Sequence, residues 1–335
     1  MSNNFWYQKQ KPISSLAALS GGAGGMMYIT DASLPYTGDR GVWAGGYSGG
    51  QTNIMHYKSL TAAQSGTTSD FGDLTESADQ LQTTSGDGRG VRAGGRLAGG
   101  GKSDVMDYIT FANTGNATDF GDLSDTWRYS NCDTRSDGTR GIWACGNYGN
   151  TDYSDRIDYI TIATTGNSSD FGNLHNATKR YLGGASNKTR AIHFGGVNSG
   201  GYMQNGIEYI TIQTTGNGAD FGDLTESKSL PGGSGGGNYS DRGLRFGGES
   251  GPVNTIDYVN ITTTGNATDF GDMTESIYIC SACAALTTNR VVNGAGRDGS
   301  GIYDKTQYVD SATTGNATEG FSFFDDMQSP GAFSG

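Results

Sequence analysis

Pairs of aspartates three residues apart recur along the chain: Asp70 and Asp73, Asp119 and Asp122, Asp220 and Asp223, Asp269 and Asp272. Carboxylates so spaced offer the hard oxygen ligands that calcium takes. The pattern lacks the ligand density of an EF-hand loop, however, and in one copy Asn173 follows Asp170. Turn capping is therefore the expected role. Each pair encloses Phe-Gly, and Asp-Phe-Gly holds magnesium in protein kinases. Here no Gly-rich phosphate loop, strand lysine or catalytic loop accompanies it. The Ser-x-Asp-x-Gly-x-Thr-Trp box of sialidase-type propellers is not matched by Thr118-Asp119-Phe120-Gly121 either.

Other chemistry-bearing residues are sparse. Cys280 and Cys283 form one Cys-x-x-Cys in a strand-like run, without a second pair or a nearby His, so buried free thiols are expected rather than zinc. Cys132 and Cys145 flank the turn Ser136-Asp137-Gly138-Thr139 and read as two small buried residues. A copper or quinone centre needs His and Tyr converging on one rim, whereas only His56, His175 and His193 exist. Asn116, Asn266 and Asn316 stand in Asn-Ala-Thr steps that match the glycosylation pattern, and turn chemistry already accounts for them. No catalytic set, metal or cofactor is expected, and the protein does not read as an enzyme.

What positions these residues is a repeat. The Asp-Phe-Gly copies start at Asp70, Asp119, Asp170, Asp220 and Asp269, and a worn sixth runs Thr314-Gly315-Asn316-Ala317-Thr318-Glu319-Gly320-Phe321. A period of about 50 residues over most of the chain marks a repeat architecture. A second element also has six copies, among them Arg40-Gly41-Val42-Trp43-Ala44-Gly45-Gly46 and Arg242-Gly243-Leu244-Arg245-Phe246-Gly247-Gly248. Its apolar residue (Val42, Val91, Ile142, Ile192, Leu244, Val292) alternates with a changing one, the period of a half-buried strand. A third element, as in Ile157-Asp158-Tyr159-Ile160-Thr161-Ile162, is rich in β-branched and aromatic residues, and Thr-Gly-Asn turns follow it. A fourth is the Asp-Phe-Gly-Asp-Leu strand with Phe and Leu buried. A variable first strand is expected near 128–131 and 180–182.

Composition agrees with many short strands: 57 Gly, 5 Pro, 18 Tyr and 13 Phe in 335 residues. The net charge of -12 argues against wrapping a phosphate backbone, so no nucleic acid partner is expected. No apolar run of about 20 residues exists, so no membrane insertion is expected. The N-terminus lacks the apolar core of a signal peptide, and synthesis in the cytoplasm without Sec export is the reading. Six units of four antiparallel strands make an all-β, six-bladed β-propeller over 26–335. Residues 1–25, with the cluster Phe5, Trp6 and Tyr7 ahead of a Gly-rich joint, are read as a tether or anchor, with a frayed terminus as the alternative. For ring closure, the tail 321–327 and the segment 26–30 stand as alternatives.

A hydrophobic strand ending in di-glycine, followed by a strand carrying Tyr, resembles the kelch-type propellers, with Phe71, Phe120, Phe171, Phe221 and Phe270 where that family has a later Trp. The repeat wording, Tyr-Ile-Thr-Ile-x-Thr-Thr-Gly-Asn-x-x-Asp-Phe-Gly-Asp-Leu, is similar to tailed-phage structural proteins, especially those of marine phages. That resemblance implies a virion protein, joined to other virion proteins through 1–25 and facing a host-surface glycan or protein. The alternatives it leaves are a capsid- or tail-decorating protein without its own ligand and a glycan-acting enzyme. The expected contacts are the residues that differ between blades. They are Trp43, Arg92, Trp143, His193 and Arg245 at one equivalent strand position, and Tyr47, Tyr148 and Tyr202 in the loops that follow.

Overall fold

The computed structural model describes residues 39–335 apart from 62–63, 129–134, 145, 149–152, 177–178, 230–231, 236–240, 250–252 and 286. All described residues belong to the unit Ala32–Gly335. The expected boundary at residue 25, the segment 26–30, the cluster Phe5, Trp6 and Tyr7, and the Cys132–Cys145 pair lie outside them.

Antiparallel sheets form a six-bladed propeller. From the axis outward, blade four is Gly183–Ser186, Arg190–Phe194, Gln204–Thr211 and Ala219–Lys228. Blade five is Gly232–Gly235, Arg242–Phe246, Thr255–Asn260 and Thr268–Asp272. Blade six is Ser281–Ala284, Arg290–Arg297, Ile302–Asp310 and Thr318–Ser322. Blade two runs from Gln82–Gly86 through Arg89–Ala93 and Ser103–Thr110 to Thr118–Arg128. Blade three has three described strands, Arg140–Ala144, Arg156–Thr161 and Ser169–Asn173, with Ser136 bridging Gly141 at the inner position.

Closure falls on blade one. Its strands Arg40–Ala44, Ile54–Ser59 and Ser69–Asp73 are completed on the inside by the C-terminal Gly331–Ser334. The tail 321–327 read from the sequence does not supply this strand, and the segment 26–30 lies outside the described residues. Residues 321–322 end the outer strand of blade six instead, and the last five residues lock the ring. Inner strands are rich in Gly, Ala, Ser and Thr, because six of them must converge on one axis. Their hydroxyls bind the neighbouring strand's carbonyls: Thr83 Oγ1 to Ala332 at 2.6 Å, Thr84 Oγ1 to Arg135 at 3.0 Å, Ser334 Oγ to Ala284 at 2.8 Å. The inner strand of blade four begins past the 180–182 segment where the sequence suggested it, since strand propensity is low in Gly-Gly-Ala-Ser, and residues 129–131 lie outside the described residues.

Two staples explain the repeat wording. In every blade the arginine that opens the second strand lies over the tyrosine of the third, 4.5 to 4.9 Å from its centroid. Each also donates from Nη1 to a carbonyl of the next blade, the last closing the circle from Arg290 to Leu60 at 3.0 Å. The second staple is the Thr-Gly-Asn turn, which docks on the Phe-Gly-Asp of the preceding blade. Gly166 N donates to Phe120 O at 2.7 Å, and Asn167 Oδ1 accepts from Asp122 N at 3.0 Å. The same pair of bonds recurs at Gly115–Asn116, Gly216–Asn217, Gly265–Asn266 and Gly315–Asn316. The Asn-Ala-Thr asparagines are thus engaged as acceptors between blades.

This contact requires glycine. A Cβ on Gly121 (φ +139°) would lie 2.6 Å from the Gly166 carbonyl. Gly121→Ala is expected to destabilise the protein by about 2–4 kcal/mol in urea unfolding, through backbone clash and left-handed strain. Gly50→Ala, whose Cβ would meet nothing within 4 Å, is the matched control and should change little. Equal effects would show that the turn does not hold the blades.

Candidate functional site

Strand direction sorts the connections. Loops from second to third strand and links between blades emerge on one face; inner turns and Thr-Gly-Asn turns emerge on the other. On the second face the Thr-Gly-Asn turn is kept in five of six blades while the inner turns vary, whereas no bridged pair on the first face is repeated.

On the changing face a backbone bridge recurs just past each di-glycine, joining loop to link. The pairs are Tyr47–Gln328, Arg96–Asp79, Asn147–Arg128, Val197–Arg180, Glu249–Ser229 and Arg297–Tyr278. Neither partner keeps its residue type around the ring. The framework therefore fixes the backbone of this rim and leaves its side chains free to differ. Arg96 adds a two-point ion pair with Asp79, Nε to Oδ1 at 2.9 Å and Nη2 to Oδ2. Tyr47 is half-buried. Tyr202, at the tip of the blade-four loop, is 72 % exposed, and Phe324, on the link from blade six to blade one, is 40 % exposed. Both exposed large hydrophobics among the described residues thus sit on the variable face. The Tyr148 side chain is outside the described residues.

The strand position expected to line the rim does not. Trp43, Arg92, Trp143, His193 and Arg245 are all buried, at most 1 % exposed. Alternation misled here, because a propeller blade is covered on both faces by its neighbours, so the side opposite the apolar one is also interior. A changing residue there reports a changing interblade contact. Each faces one residue across the third strand: Trp43 His56, Arg92 Asp107, Trp143 Asp158, His193 Glu208, Arg245 Asp257 and Asn293 Gln307. All six partners are buried as well. Arg92 binds Asp107 with two contacts, Nε to Oδ1 at 3.0 Å and Nη2 to Oδ2 at 2.9 Å.

The acceptors reach into the link of the preceding blade. Asp107 Oδ2 takes Thr75 N at 2.9 Å and Thr75 Oγ1 at 2.6 Å; Glu208 Oε2 takes His175 N at 2.7 Å. Asp257 Oδ1 takes Thr225 Oγ1 at 2.7 Å, and Gln307 Oε1 takes Thr274 Oγ1 at 2.9 Å. These polar layers join blades rather than bind ligand. Buried Arg135 similarly contacts His193 Nδ1 and Gln82 Oε1 near the axis.

His56 is the exception in chemistry. It lies on the closing seam, its ring 3.9 Å from that of Phe324 and 5.6 Å from Phe323, with Nδ1 3.1 Å from Thr68 Oγ1. Burial pushes its pKa down from 6.5 to about 4. Because the folded protein resists protonation there, stability is full above pH 6.5 and declines as pH falls toward 4, by on the order of 3 kcal/mol. His56→Phe is expected to flatten that part of a urea-unfolding pH profile. An unchanged slope would place the acid sensitivity elsewhere.

Other candidate chemistry resolves into structure. Cys280 and Cys283 are buried free thiols. Asp70 Oδ1 accepts Gly72 N at 3.1 Å, a turn cap. Among the described residues no three of His, Cys, Asp and Glu gather as a metal ion would require. A groove of about 450 Å³ between blades one and two is lined by Asp39, Arg40, Tyr57, Thr110, Phe111 and Gly335. It opens on the constant face, and its cation, Arg40, already serves the blade staple. No family model matches this chain, and no curated protein is similar to it.

Proposed function

We propose that the protein is a tail-associated adhesin of a tailed-phage virion, presenting the variable face of its propeller to a host-surface saccharide or envelope protein. The observation that carries the binding part is the asymmetry of the two faces. Drift alone would loosen both outer rims, yet the Thr-Gly-Asn turn of one is kept in five blades while the other changes at every bridged pair and carries Tyr202 and Phe324 in the open. The virion part is supported by the likeness of the repeat wording to tailed-phage structural proteins. In this reading residues 1–25, with Phe5, Trp6 and Tyr7, attach the propeller to other virion proteins. The protein acts by binding and catalyses nothing.

A glycan array probed with purified protein tests the binding part. Binding is expected, and it should be lost when 47–53 and 198–203 are replaced by Gly-Ser loops. It should persist when the exposed Gln213, on the constant face, is changed to Ala. Absence of binding to any glycan or to host envelope protein would leave a decorating role without ligand as the better account.

A further inference from the structure

Arg180 stands apart from the other arginines of the variable face. Its guanidinium lies over two tyrosine rings, 4.7 Å from the Tyr153 centroid and 4.9 Å from that of Tyr181. It has no hydrogen-bond or ion-pair partner among the described residues, and its Nε is buried without an acceptor. Arg297 also lacks a side-chain partner among the described residues but is exposed, and the Arg96 cation is neutralised by Asp79. A buried N–H without an acceptor costs about 1–3 kcal/mol, and a guanidinium desolvated by two rings is primed for a planar anion.

Its position is fixed, too. Tyr181 adopts the left-handed region at φ 62°, which an ordinary side chain avoids, and so carries strain exactly where the link turns inward. The strand Lys179–Arg180 pairs with Val197–Asn198, and Asn198 holds the next loop: Asn198 N donates to Tyr202 O at 3.0 Å, and Asn198 Oδ1 accepts Tyr202 N at 3.0 Å. The loop of blade three, the link and the loop of blade four thereby bring Tyr153, Arg180, Tyr181 and the exposed Tyr202 onto one sector.

We propose that this sector is a subsite for an acidic saccharide: Arg180 binds a carboxylate or phosphate on one sugar, and the Tyr202 ring stacks on a neighbouring sugar face. The proposal rests on the reading of the variable face as a binding face and deepens it. Polygalacturonate oligomers, their methyl esters and mannose-6-phosphate oligosaccharides are the probes, with binding followed by calorimetry. Acidic oligomers should bind at least tenfold more tightly than the esters. Arg180→Gln should remove that difference, Arg180→Lys should restore part of it, and Tyr202→Ala should weaken acidic oligomers severalfold while the preference for acid remains. Preference for the phosphorylated probe would identify phosphate rather than carboxylate as the anion. Equal binding of acid and ester, or an Arg180→Gln protein that still discriminates, would overturn the subsite. Neutral glycans bound through the loops without regard to Arg180 would overturn it while leaving the binding face intact; no binding of any probe or glycan would overturn both. Because the Arg180 side chain has no hydrogen-bond partner among the described residues and loses only its two ring contacts, the Gln variant should melt within a few degrees of wild type, which separates lost binding from lost folding.

Discussion

Deletion of Gly331–Gly335 is expected to abolish the cooperative folding transition. These five residues supply the inner strand of blade one, so their loss leaves Arg40–Ala44 with an open edge at the axis. Phe333 also disappears. It packs with Val42 and Phe111, its ring 5.8 Å from that of Phe111, and fills the junction of blades one and two. A buried Phe truncated to Ala costs about 3–5 kcal/mol, and the strand hydrogen bonds are lost in addition. Against a total stability of about 5–15 kcal/mol, no closed monomer should survive. Size-exclusion chromatography with thermal unfolding checks this: aggregation or strand exchange between chains is expected. A monomer melting within a few degrees of wild type would show that closure does not depend on the C-terminal strand. Phe333→Ala alone should keep the fold and lose about 3–5 kcal/mol.

The second large effect lies in the buried pair between blades one and two. Asp107→Ala is expected to cost about 3–5 kcal/mol, because the Arg92 side chain is wholly buried and Glu76, 23 % exposed and 2.9 Å away, is the carboxylate that remains beside it among the described residues. Thr75 loses the acceptor for both its amide and its hydroxyl. Asp107→Asn, which keeps an acceptor oxygen, should cost less. The double change Arg92→Leu with Asp107→Leu should recover much of the loss, since removing both charges removes the desolvation problem. Urea unfolding of wild type, Arg92→Leu, Asp107→Leu and the double variant forms the cycle. Additive losses would show that the two side chains do not act as a pair.

The fold was largely legible, and its legibility had a single source. Copies of Asp-Phe-Gly-Asp-Leu, Arg-Gly-x-x-x-Gly-Gly and Tyr-Ile-Thr-Ile at one period fixed the blade count and three of four strands in each. The inner strand was hidden because Gly183-Gly184-Ala185-Ser186 or Gly331-Ala332-Phe333-Ser334 carry small residues chosen for convergence on the axis, not for strand propensity. Closure was hidden for the same reason.

The candidate site was legible in part. The loops after the di-glycine were marked as variable, and Tyr47 and Tyr202 lie on them. Trp43, Arg92, Trp143, His193 and Arg245 were assigned to the rim from the same variability, but both faces of a blade are interior, and period two cannot tell an outer surface from a second buried one. Arg180 went unmarked as a ligand-binding residue because its signal is partly spatial: the fold brings Tyr153 of the blade-three loop to a cation whose other ring, Tyr181, is its neighbour in sequence. The visible hint was that Arg180 sits three residues before the inner strand of blade four, where blade five has Ser229 and blade six Tyr278.

Gold-labelled antibody against the propeller, viewed on intact particles by electron microscopy, tests the central claim most directly. The adhesin reading predicts label at the distal tips of tail fibres, lost when residues 1–25 are deleted. Label spread regularly over the head, or absent from the particle altogether, would contradict it.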